Sequence, residues 1–176
     1  MKKTRLIVLG GFAGAGKTTV ASKLGSDFNY PFFNPDDFNA GLMPILKKSF
    51  HEISPSAYDV MWHILKRNLR LGVTCILDAN MCSTFTWKTL DELKHDFPAV
   101  EVVPIILECS LEKHKARIEK RGVENKEHLN LGGDEWEMIL PKYEFINKLE
   151  RTDIIRVDAN GNPEEVYGSV LSVLGL

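Results

Sequence analysis

The stretch GFAGAGKTT, Gly11 to Thr19, packs three glycines, one lysine and two threonines into nine residues. It would make a poor core segment. Gly11, Gly16, Lys17 and Thr18 meet the spacing G-x-x-x-x-G-K-[ST] in full. Glycines let backbone N–H groups turn toward one centre with no Cβ in the way. The amides of Gly11, Ala13, Gly14, Ala15, Gly16 and Thr19 would then form, with a following helix N-terminus, a nest for anionic oxygens. Lys17 would reach the β- and γ-phosphates as a point charge, and Thr18 would offer its hydroxyl to Mg²⁺. The chemistry implied is the binding of a nucleoside triphosphate with magnesium.

Other residues narrow the fate of a bound triphosphate. In ILDAN, Asp78 is followed by Ala79 and not by a water-activating glutamate, which disfavours hydrolysis and leaves Asp78 to hold Mg²⁺ directly or through water. The two Asn-Lys pairs read NKEH and NKLE, so neither is the N-K-x-D reader of guanine. NPDDFN, residues 34–39, supplies Asp36 and Asp37. One of them is suited to accept a proton from an attacking hydroxyl, and either would equally cap the next helix. Arg117 and Arg121 stand four apart on one helix face. They could neutralise charge over the phosphates, or form part of a solvated face. Segment 38–62 is the expected acceptor side, with Phe38, Asn39, Met43, Phe50, His51, Tyr58 and Trp62. Most of its aromatics suit a core as well as a pocket. Asn80 and Cys82 are expected to face the same cleft.

The elements that must position these residues alternate along the chain. Apolar runs predict strands at Leu6–Leu9, Tyr30–Asn34, Val73–Leu77, Val102–Leu107 and Ile154–Val157. Helical patterns fill the intervals. One runs from Lys17 to Leu24. Another is capped at Ser54, has Pro55 first and ends near Leu71 at Gly72. A third covers Thr84–Asp96, and a fourth is capped at Ser110 and stopped after Arg121 by Gly122. Glu135–Glu150 is helical with a break near Pro141. The last helix opens at Asn162-Pro163, with Glu165 placed for a capping box. Residues 123–134, polar and glycine-containing, predict a lid loop. The order predicts one α/β domain over residues 1–176, a parallel sheet with helices on both faces.

The net charge of −2 supplies no global attraction for nucleic acid. Cys75, Cys82 and Cys109 show no CxxC pairing and suit reduced thiols in a reducing compartment. The first apolar run is too short for a secretory leader, and no stretch reaches a membrane-spanning length. The expectation is a cytoplasmic protein without a membrane partner. Oligomeric state is left open.

GFAGAGKTT, NPDDFN, LDAN and RIEKRG, in this order, resemble the motifs of the small AAA-type P-loop kinases. These include the polynucleotide 5′-hydroxyl kinases, zeta toxins, chloramphenicol phosphotransferase, and the gluconate and shikimate kinases. The likeness is strongest to the phage-type polynucleotide kinase domain and covers roughly residues 5–122. It implies a P-loop NTPase fold with strand order 2-3-1-4-5, ATP and Mg²⁺ as cofactors, Asp36 as base, and Arg117 and Arg121 as lid arginines. Arg117 and Pro163 loosely match positions that sandwich adenine in relatives, although Pro163 also suits an ordinary first-turn proline. Where polynucleotide kinases carry an arginine after D-D-[YF], this chain has Asn39. That departure favours a small hydroxyl-bearing acceptor over a nucleic acid. A polynucleotide or nucleotide kinase is the nearest alternative, and an ATP-binding module without phosphotransfer is the alternative of another class.

Overall fold

The computed structural model describes residues 3–124 and 133–176, with side chains outside 121–139. β1 (Arg5–Gly11) is buried on both faces because side chains alternate across it. Leu6 and Val8 point to one layer; Ile7 and Leu9 point to the other. β1 therefore has to lie in the middle of the sheet, between β3 (Cys75–Asp78) and β4 (Glu101–Glu108). β2 (Phe32–Phe33) pairs with β3, and β5 (Ile155–Asp158) with β4. All four pairings are parallel, and the strand order is 2-3-1-4-5.

Helices cover both faces. α1 (Lys17–Phe28) and α7 (Pro163–Leu174) pack Val20, Leu24, Val166 and Val170 on the Ile7/Leu9 side. α3 (Phe50–Arg70), α4 (Thr84–Asp96) and α6 (Gly133–Asn147) pack Met61, Leu65, Leu90 and Ile146 on the Leu6/Val8 side. α2 (Pro35–Leu46) follows β2, and α5 (Leu111–Glu124) follows β4. Because every strand is parallel, every strand ends on one edge, where ligands of such sheets bind.

Three expectations about helix ends need correction. The helix expected to start at Ser54 starts at Phe50, since Ser49 and Glu52 form a reciprocal capping box one turn earlier. Pro55 lies inside it on an exposed position, removing a single i→i−4 bond. α5 continues through Gly122 to Glu124, so glycine is tolerated there at a cost of about 1 kcal/mol relative to Ala. Of the predicted 123–134 loop, 123–124 belong to α5 and 133–134 to α6; residues 125–132 lie outside the described residues. The helix that Asp36 or Asp37 could cap after NPDDFN is found as α2, with Asn34 as its cap. Among the described residues no helix is long and apolar enough to cross a membrane.

Candidate active site

β1 runs straight into the glycine loop. Gly11 has φ 139°, and a Cβ there would stand 2.6 Å from the Leu107 carbonyl oxygen, so only glycine fits where the chain leaves β1 beside β4. Gly16, at φ 93°, is the N-cap of α1. No side chain caps that helix and no acidic residue lies in its first turn. The N–H groups at its start therefore lack a side-chain partner from the cap, which suits them to an anion. Lys17 Nζ donates to the Phe12 carbonyl at 3.2 Å, folded along the loop it would serve.

Asp78 ends β3 opposite Leu9, which brings it beside the loop. Thr18 Oγ1 donates to Asp78 Oδ2 at 2.6 Å, and Asn34 Nδ2 donates to the same oxygen at 3.3 Å. Burial pushes the Asp78 carboxyl above its ordinary value; Lys17 and Thr18 oppose that, and Asp36 and Asp37 add to it. Hard oxygen donors on Thr18 and Asp78 suit Mg²⁺, which takes one or two protein oxygens and leaves the rest of its sphere to phosphates and water. Among the described residues no group of three or more His, Cys, Asp or Glu could hold a metal by itself.

The carboxylates of Asp36 and Asp37 stand in the first turn of α2. The cap of α2 is Asn34, not an aspartate: its Oδ1 accepts from Asp36 N–H at 2.9 Å. One amide therefore starts α2 with its oxygen and steadies Asp78 with its nitrogen. Asp36 lines a cleft of about 490 Å³ together with Gly11, Gly16, Lys17, Thr18 and Asp78. Asp37 is exposed and lies outside the cleft lining. Phe50, Ser54, Tyr58, Asn80 and Cys82 also line the cleft. The Tyr58 hydroxyl is pushed up by burial, then by Asp36 and Asp78. Burial lifts the Cys82 thiol to about 11, with Lys17 and Lys142 opposing.

The remaining expected residues are placed differently. Ala13 and Gly14 line the cleft, whereas Ala15 is buried beneath the loop and Thr19 is exposed outside the lining. Asn39 is 1% exposed and lies away from the cleft wall; its Nδ2 donates to the Pro35 carbonyl at 3.0 Å. Phe38, Met43, His51 and Trp62 are also absent from the lining. Arg117, expected over the phosphates, is bonded to backbone carbonyls. Its guanidinium donates to the carbonyls of Gly14, Ala159 and Gly161 at 3.3, 3.0 and 3.3 Å, tying the glycine loop to the turn before α7. The Arg121 side chain lies outside the described ones. Pro163 is exposed at the first position of α7, where the Asn162–Glu165 capping box forms as expected, and it does not line the cleft.

Two residues escaped the sequence reading. His114 is 1% exposed, and its Nδ1–H donates to the Ala13 carbonyl at 2.8 Å, fixing one peptide of the loop. Burial holds it below the usual histidine range. Lys142, on α6, lines the cleft. Neither carries a local motif; an Asn-Pro before two acids, by contrast, marks α2 as plainly as it marks α7.

Similar folds occur in solved structures. A candidate kinase from Chloroflexus aurantiacus superposes with TM-score 0.74 at 17% identity over 99% of this chain and 98% of its own. A sugar kinase from Janibacter sp. gives 0.66 at 22% over 98% and 95%. A gluconokinase from Sinorhizobium meliloti gives 0.62 at 15% over 99% and 94%. At such identities these likenesses establish the fold alone. No curated protein matches the sequence. A family model described as an AAA domain, AAA_33, matches residues 6–146. With the glycine loop, the Thr18–Asp78 pair and the 2-3-1-4-5 sheet in place, the chain belongs to that AAA domain family.

Proposed function

We propose that this protein is an ATP-dependent kinase that transfers the γ-phosphoryl group to a hydroxyl of a small-molecule acceptor. The observation that carries the reading is the shared cleft: Asp36 lines it from α2, and the glycine loop with Lys17 lines it from α1. Phosphoryl transfer needs a positioned nucleophile and a compensated charge more than it needs a strong base. The acceptor hydroxyl hydrogen-bonds to Asp36, which takes its proton as the new bond to phosphorus forms. Lys17 and the amides of the glycine loop hold the phosphate oxygens. Thr18 and Asp78 would hold Mg²⁺, which would neutralise phosphate charge. Phe50, Ser54 and Tyr58 shape the acceptor side and limit water. Arg117 joins the glycine loop to the turn before Pro163, which supports placing the nucleotide base along that turn.

A nucleic-acid acceptor is the weaker reading. The position where polynucleotide kinases carry an arginine holds Asn39, buried and bonded to its own helix. The test is ³¹P NMR of ATP·Mg²⁺ with sugars, polyols, amino alcohols, nucleosides and a 5′-hydroxyl oligonucleotide. A phosphomonoester signal growing with ADP supports the kinase. A product from the oligonucleotide alone would move the acceptor to nucleic acid. Tight ATP binding with no transfer to any acceptor would leave an ATP-binding module.

A further inference from the structure

Phosphoryl transfer spreads charge over the oxygens of the moving group, and a cation beyond the loop lysine and Mg²⁺ would help to stabilise it. Arg117 is bonded to three backbone carbonyls, and the Arg121 side chain lies outside the described ones. We infer that Lys142 is that cation, a catalytic residue that contacts the transferring phosphoryl group; the inference rests on the kinase reading above.

Three observations place it there. Lys142 lines the same cleft as Lys17 and Asp36. The next residue, Tyr143, packs edge-on against Phe12 and His114, with ring centroids 5.4 and 5.6 Å apart. Phe12 belongs to the glycine loop and His114 is bonded to it, so α6 is clamped to the phosphate end of the cleft. Among the described residues Lys142 makes no hydrogen bond or ion pair, whereas Lys148 is paired with Glu144 and Lys94 with Asp153.

Charge balance points the same way. Asp36 and Asp78 already line the cleft, so even with Lys17 and the Mg²⁺ that Thr18 and Asp78 would hold, a bound triphosphate is served by a second ammonium. In the step itself the acceptor oxygen bonds to the γ-phosphorus and its proton goes to Asp36. The bond from that phosphorus to the β–γ bridging oxygen breaks, and its electron pair leaves with ADP. Lys142 donates to the equatorial oxygens, where the contact tightens as the group flattens.

The test compares Lys142→Ala, Lys142→Arg and, as a control just past the end of the same helix, Lys148→Ala. Binding of a fluorescent ADP analogue with Mg²⁺ is titrated with and without fluoroaluminate, a mimic of the flattened phosphoryl group. Fluoroaluminate should tighten binding to wild type, Lys142→Arg and Lys148→Ala. In Lys142→Ala that tightening should fall by about 10²-fold while ADP alone binds as in wild type. Transfer should lose kcat with the KM for ATP unchanged. Equal tightening in Lys142→Ala, or none in wild type, overturns the assignment, as does weaker ADP binding without fluoroaluminate. Absence of transfer to every alcohol would defeat the kinase reading instead, and the fluoroaluminate titration still judges Lys142.

Discussion

Arg117→Ala separates a brace from a mobile catalytic arm. The guanidinium spans the Gly14, Ala159 and Gly161 carbonyls, with Cys109 Sγ at 3.7 Å. A hydrogen bond from a charged donor is worth about 1.5–3 kcal/mol when well buried. Arg117 is half-buried, and water would replace part of what is lost, so about 1 kcal/mol for each carbonyl is a fair discount. The three together come to about 3 kcal/mol. At about 2–4 °C per kcal/mol for a chain of this size, the melting temperature should fall by about 6–12 °C. The brace also holds the glycine loop, so a nucleotide analogue should raise the melting temperature less in the variant than in wild type. Differential scanning calorimetry with and without a non-hydrolysable ATP analogue measures both. Arg117→Lys should sit between, because one ammonium cannot reach three carbonyls in a fork. A variant that melts within about 1 °C of wild type yet loses turnover would refute the brace and restore the arginine to the phosphates.

Three further outcomes rest on single contacts. Asn34→Ala removes the α2 cap, which costs about 1 kcal/mol, and it also frees Asp78; melting should drop by about 2–4 °C and transfer should slow. Asn34→Asp keeps the cap acceptor but sets a second carboxylate beside Asp78, so like-charge repulsion should lower its melting point as well. His114→Phe retains the ring packing but leaves the Ala13 carbonyl without its donor; calorimetry should show ATP binding weakened about tenfold with the fold intact. The Arg151 cluster sets an acid limit. Arg151, then Lys94, hold the Asp153 carboxyl well below its usual range, and Arg151 does the same for Asp91. A carboxylate depressed in the fold adds stability above its ordinary pKa near 4 and loses it as pH falls toward the folded value. Arg151→Ala should therefore cost about 1 kcal/mol at neutral pH, the discount for solvent screening included, and melt less steeply with acid below about pH 4.

What was legible in the sequence had local causes. The glycine loop, the strand ending at Asp78 and the Asn162–Glu165 cap each depend on neighbours in the chain, and each is found where expected. Thr84–Asp96 was bounded correctly because its cap Ser83 and the Pro98 beyond it are both local signals. The caps of α2 and α3 were legible and overlooked: Asn34-Pro35 and the Ser49–Glu52 box are sequence patterns, passed over for Asp36 or Asp37 and for Ser54-Pro55. Arg117, His114 and Lys142 were different. Their partners or cleft neighbours lie far along the chain, and only tertiary packing decides whether an arginine in a charged helix is a brace, an arm or a solvated side chain.

Asp36→Asn tests the central claim most directly, since it keeps the shape of the side chain and removes its capacity to take a proton. With any acceptor that wild type phosphorylates, kcat should fall by about 10²–10⁴-fold while calorimetry finds ATP bound as tightly as before. Transfer at the wild-type rate by Asp36→Asn would contradict the account.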